Sequence, residues 1–247
     1  MSDVRFVKPR DTIEIYLTDN RVLQAKRNAT LEEIFQILPE WKNPPIVGAI
    51  VNGQLRELTF PVKMDADVKP LNMSDVDGAR IYRRSLTFLL EAAFQDIYPE
   101  AKVTIDHAVA SGGFYCQVDG MDDFSEEKLV RLEQHMRDIV KTDKKFERKE
   151  VPLSEAIDYF NQKQQFDKIR LLKYRRKPHL VLYQLGKQKD YHHGYMVPSS
   201  GYLQCFKLIW MSPKAFILQY PRRRSPMMLE KIPENQQLLE TFKQYGS

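Results

Sequence analysis

The chain has 247 residues, 43% hydrophobic and 11% aromatic, enough for one large core or two smaller ones and too apolar for wholesale disorder. Its 38 Lys and Arg against 33 Asp and Glu leave a net charge of +5, which permits contact with a polyanion without demanding it. No apolar run approaches the roughly 18 residues that span a bilayer, the N-terminus carries no apolar signal segment, and Cys116 and Cys205 form no CxxC pair; a cytoplasmic protein with no membrane partner, no cofactor and no thiolate zinc site is expected.

Ile13, Ile15 and Leu17 alternate, Asp19-Asn20 signals a turn, and Val22-Leu23 opens a return strand, which predicts an N-terminal hairpin. Thr30 with Glu33 reads as a capping box for a helix whose apolar face is Leu31, Ile34, Phe35 and Leu38; Pro39 and Pro44-Pro45 close it. Residues 46–51 (IVGAIV) read as a strand, Asn52-Gly53 as a hairpin turn and Leu55 to Phe60 as the antiparallel return. The order strand, strand, helix, strand, strand predicts a small α+β grasp over residues 11–75, followed by a polar connector at 65–79. The aspartates of that connector lack the spacing and the distal Glu of a calcium loop.

Leu86, Leu89, Leu90, Ala93, Phe94 and Ile97 recur at spacings of three and four, which predicts an amphipathic helix from Arg83 that Pro99-Glu100 ends. A strand at Val103-Thr104-Ile105, a turn at Gly112-Gly113 and an alternating strand through Phe114, Cys116 and Val118 follow. Ser125 is a cap for a helix buried through Leu129, Leu132, Met136 and Ile139, and Ser154 for one buried through Ala156, Ile157 and Phe160. Leu180 to Tyr183, Cys205 to Trp210 and Ala215 to Leu218 read as strands, and 187–201 as a polar, turn-rich loop. A short helix with Leu238, Leu239 and Phe242 is expected within Leu229 to Tyr245. His107 and His135 read as packing or surface residues.

The helix ending at Tyr98-Pro99, followed by GGFYCQVD (112–119), resembles the second N-terminal domain of threonyl-tRNA synthetase, an editing domain shared with alanyl-tRNA synthetase. The Val51-Asn52-Gly53 hairpin ahead of it resembles the TGS domain that opens the same enzyme. The resemblance runs from about residue 11 to about 245 and implies an α+β class: a small TGS-like β-grasp domain at 11–75, then an editing-type α+β domain at 80–245. In the family a basic strand, a short helix and a strand-forming segment come in that order, matched here by KKFERKEVPLSEAIDYF and then QFDKIRLL (165–172).

The family's editing site takes two histidines four residues apart from the first helix, and a Cys and a His four apart from a later loop. That loop is marked here by His193-Gly194, Val197-Pro198 and Phe206-Lys207-Leu208, so the matching positions are Arg84, Phe88, His192 and Met196. Only His192 is a good ligand, and a guanidinium repels a cation. The resemblance therefore implies a pocket with no metal and no catalytic residue, in which Arg84 contacts an anion and His192, His193 and Tyr195 form an adaptable wall. A nucleotide, a nucleoside or an RNA end such as that of tRNA would fit. A metal-dependent aminoacyl-tRNA deacylase is the alternative. Basic clusters at Lys144-Lys145 with Arg148-Lys149, at Lys173 with Arg175, Arg176 and Lys177, and at Arg222, Arg223 and Arg224, interleaved with tyrosines, are candidate nucleic-acid contacts.

A second resemblance concerns architecture. Certain bacterial uridine-kinase-like proteins carry this pair of domains, with altered editing ligands, ahead of a P-loop kinase. It implies a non-catalytic or regulatory region here, and phosphotransferase activity only in a longer protein. The P-loop itself is absent: Gly186-Lys187 has Val181 where the first Gly belongs and Gln188 where Ser or Thr belongs.

Overall fold

The computed structural model describes residue 6 and residues 8–231; the terminal helix expected around Leu238 and Phe242 lies outside them. Strands β1 (Thr12–Leu17) and β2 (Val22–Lys26) form the first hairpin, with Asn20 at positive φ in its turn. Helix α1 (Leu31–Phe35) starts where Thr30 Oγ1 accepts the Glu33 amide and the Glu33 carboxylate accepts the Thr30 amide. Strands β3 (Ile46–Val51), β4 (Gln54–Arg56) and β5 (Ala66–Asn72) complete a five-stranded sheet in the order β2-β1-β5-β3-β4, with β1 and β5 parallel. Ile13, Ile15, Leu31, Phe35, Leu58 and Val68 form its core under α1.

Residues 65–79 correct the sequence reading. They hold the central strand β5 and the first turn of the next helix, not a connector. Ala66, Val68 and Leu71 are buried while Asp67 and Lys69 face water, so a strand pattern lay hidden among charges. Pro70 is tolerated because the β1 pairing ends at Val68. The return strand read over 55–60 is shorter, ending at Arg56.

Helix α2 (Val76–Ile97) is buried around most of its circumference, from Gly78 to Phe94. It packs on β3 and β5 of the first sheet and also on β6 (Lys102–Val109), α3 (Glu126–Lys141) and β9 (His179–Leu185). Strand β7 (Gly113–Asp119) pairs with β6 and with β12 (Ala215–Gln219), and β11 (Lys207–Ser212) adds the fourth strand of an antiparallel sheet. A second antiparallel sheet has the order β10-β9-β8, with β8 at Glu147–Pro152 and β10 at Gln188–Tyr191. Helices α4 (Leu153–Gln162) and α5 (Phe166–Leu172) cover it through Phe160, Ile169 and Leu172.

Three further expectations are revised here. Ser154 lies inside α4, whose cap position is Pro152. QFDKIRLL is helical from Phe166: Ile169 and Leu172, three apart, face the core while Phe166, Asp167, Arg170 and Leu171 are exposed, a period of 3.6 and not 2. Part of the loop read at 187–201 is β10, whose polar residues escape the usual apolar strand pattern because each is only half-buried.

Candidate anion site between helix α2 and the 192–197 loop

Ser85 fastens the loop after β10 to α2. Its hydroxyl donates to Ile81 O at 2.8 Å, as a helical Ser can, and accepts the Val197 amide at 2.9 Å. One residue earlier, Arg84 Nη1 donates to Tyr195 O at 2.6 Å. The guanidinium lies against Gly194, where a Cβ would stand 2.3 Å from Cζ and push the end of the side chain aside. One turn further along α2, Phe88 meets the edge of the His192 ring at 5.3 Å between centroids. Met196 is buried in the same core as Phe88. The four positions singled out from the sequence, Arg84, Phe88, His192 and Met196, thus line the junction of one helix face and one loop.

The electrostatics of this junction are unbalanced. Arg84 is half-buried, and among the described residues no carboxylate lies in ion-pair distance of it. Burial presses its pKa downward. The buried Nε2 of His192 has no hydrogen-bond partner among the described residues. Burial, with a smaller contribution from Arg84 and against the pull of Asp190, lowers the pKa of His192 to about 4, so the ring is neutral at pH 7. His193 turns the other way: it is exposed, with its ring against Tyr191 at 5.7 Å. Tyr195 is half-buried, its ring under the Arg148 guanidinium at 5.9 Å and its hydroxyl at 3.5 Å from Arg56 Nη1.

Several residues here escaped the sequence reading. Lys168 on α5 pairs with Asp190 on β10, both mostly shielded from water. Glu91 on α2 accepts from Gln188 Nε2 at 3.5 Å, and burial, followed by the nearby Asp190, raises its pKa to about 7. Glu91 stands seven residues after Arg84 and three after Phe88, so helical spacing already put it on that face. Lys168 was hidden by the strand reading of its segment. The β-grasp unit also reaches in, as Glu57 accepts from Tyr183 Oη at 2.8 Å and pairs with Arg148 at 3.5 Å.

A zinc-type ion does not fit this donor set. One imidazole, one thioether, one guanidinium and one phenyl ring offer a single good ligand. Among the described residues no group of three His, Cys, Asp or Glu side chains is placed to hold a metal ion.

The basic clusters differ in how free their charges are. Arg222 and Arg224 both pair with Glu230, at 3.3 and 2.8 Å, beside a cleft of about 390 Å³ lined by Arg83 and Tyr220. Arg223 lines the same cleft without an ion pair among the described residues. Arg175 donates to His179 O at 2.9 Å, while Lys173 and Arg176 are exposed beyond the end of α5. Between the two units, Trp41, Tyr82, Lys141, Tyr202 and Phe206 line a wider cleft of about 750 Å³.

The fold is mixed α+β, consistent with a TGS and editing-type, threonyl-tRNA-synthetase-like region. The chain is 31% identical over 198 residues to the threonine–tRNA ligase of Clostridium kluyveri and 30% identical over 198 residues to that of Desulforamulus reducens, covering 80% of this chain and 31% of each ligase. It is 30% identical over 200 residues to the threonine–tRNA ligase of Desulfatibacillum aliphaticivorans, 81% of this chain and 31% of that protein. The chain therefore spans about a third (31%) of the length of the curated relatives it matches. No family model matches it. Among the described residues no helix is long and apolar enough to cross a membrane.

Proposed function

We propose that this chain is a cytoplasmic, non-catalytic ligand-binding region, with a TGS-like unit at residues 11–75 and an editing-like unit at 80–245, that takes the phosphate of a nucleotide or RNA end at Arg84. We further propose that it serves as the N-terminal, regulatory part of a uridine-kinase-like protein. The observation that carries the binding reading is the half-buried Arg84 guanidinium, which has no carboxylate partner among the described residues and lies near an imidazole whose Nε2 is equally unpartnered. A buried cation without a counter-charge is costly, and an anionic ligand removes that cost. Nη1 is spent on Tyr195 O, which leaves the other guanidinium donors for a phosphate. His192, neutral at pH 7, offers a hydrogen bond without a charge. His193 and Tyr195 supply the outer wall.

Calorimetric titration with uridine monophosphate, inorganic phosphate and tRNA tests this. Wild type binds at least one of them, and Arg84→Ala weakens that binding by tenfold or more, about the 1.5–3 kcal/mol of a charge-assisted hydrogen bond. Absence of binding by wild type, or equal binding by the variant, overturns it. Stoichiometric zinc on the purified protein together with hydrolysis of mischarged tRNA would replace it with the deacylase reading.

A further inference from the structure

The tip formed by the end of α4, by α5 and by the turn into β9 holds nearly all of the chain's charge asymmetry. Residues 161–179 contain seven Lys or Arg and one acidic residue, Asp167, a net +6 against +5 for the whole chain. All the other residues together carry a net −1. Of the seven cations, only Lys168 enters an ion pair among the described residues. Lys163, Arg170, Lys173, Arg176 and Lys177 are exposed.

Rings stand among these charges. Phe166 is 65% exposed and Tyr174 is 85% exposed, with Leu171 beside them at 64%. Helical hydrogen bonding continues past α5 through Lys173 to Arg175. Phe166, Arg170, Lys173 and Tyr174 therefore fall at spacings of four, three and one, on an exposed face beside the stripe that buries Ile169 and Leu172. Ring, cation, cation, ring is a surface on which bases stack while the intervening charges meet phosphates.

We infer that this tip is a docking surface for single-stranded RNA. This takes from the reading above only that the chain handles RNA; the surface is made of residues separate from those around Arg84. A duplex hides its base faces and leaves the exposed rings without a use. A lipid surface fits less well, because the apolar side of α5 is already spent on the protein core and its outward side mixes rings with cations.

The test is fluorescence anisotropy of the whole chain with a labelled oligouridylate of about 12 nucleotides, a matched duplex, and vesicles of phosphatidylserine and phosphatidylcholine. Wild type binds the single strand at least tenfold more tightly than the duplex. Its affinity falls about tenfold or more between about 50 and about 200 mM salt, as three or more phosphate contacts require. Phe166→Ala with Tyr174→Ala, and separately Lys173→Glu with Arg176→Glu, each weaken binding at least tenfold. These side chains are exposed, so an unchanged circular-dichroism melt shows that the fold is intact. Excess uridine monophosphate does not displace the bound oligouridylate, which separates failure of this surface from failure of the α2 site. No binding to the single strand, equal binding to duplex, tip variants equal to wild type, or vesicle binding in place of RNA binding overturns the inference.

Discussion

Glu91 and His192 both feel Asp190, and burial moves their titrations in opposite senses. His192 falls from 6.5 to about 4 on folding, so acidification through that range protonates the unfolded chain first and removes stability. Glu91 rises from 4.5 to about 7, so the folded chain holds its proton longer, and stability is lost as pH rises through that range. Between pH 4.5 and 6.5 the two slopes oppose each other. Glu91→Gln should leave the His192 slope, with stability rising with pH relative to wild type across this window. His192→Asn should leave the Glu91 slope, with stability falling. Each difference is up to about 3 kcal/mol and is read from urea unfolding at pH 4.5 and pH 6.5. Variant profiles parallel to wild type would show that neither group is shifted as described. At this scale the sequence marked His192 through its place in the loop but said nothing of its titration. That depends on Phe88 and Tyr183, rings brought to it by other elements.

Helix α2 begins seven residues earlier than its apolar spacing suggests, and the reason is Gly78. Read along the chain, Asp75-Val76-Asp77-Gly78 has the composition of a turn. In the fold, Gly78 is there for close approach: a Cβ would stand 1.9 Å from Asn72 O and 2.7 Å from Asn72 C. These are backbone atoms at the end of β5 and cannot swing away. Helix propensity alone would reward Gly78→Ala by about 1 kcal/mol. The clash reverses that sign and should cost about 3 kcal/mol or more, lowering Tm by about 10 °C. Gly194→Ala is the contrast, because its Cβ would meet the movable end of Arg84, and it should shift Tm far less. Equal thermal shifts for the two variants would refute the distinction. The hairpins, capping box and alternating strands were legible because local chemistry alone makes them. Strand β5 and helix α5 were not: charges interrupt the apolar residues of β5, and only tertiary packing decides that Ile169 and Leu172 of α5 are covered while Phe166 and Leu171 are left out.

The sequence suggests a division near residues 75–80, but not how the elements on either side of it meet. Their polar contacts join residues far apart in sequence: Tyr183 donates to Glu57 at 2.8 Å across 126 positions, and Tyr202 donates to Glu32 at 2.7 Å across 170. Neither partner belongs to a motif that would announce it. Tyr183 also links Glu57 to the candidate anion site, since its ring lies 6.5 Å from that of His192. Burial, reinforced by Glu57, raises the Tyr183 pKa, so the hydroxyl stays a donor. Removing one partner of such a bond strands the other and costs about 1–3 kcal/mol, whereas removing both costs little more than removing one. A double-mutant cycle with Glu57→Ala and Tyr183→Phe should therefore give a coupling of about 1 kcal/mol or more in the unfolding of the whole chain. If the bond also steadies the site, both single variants weaken phosphate binding by the same factor and the double variant weakens it no further. Additive unfolding energies would mean that the two units merely adjoin.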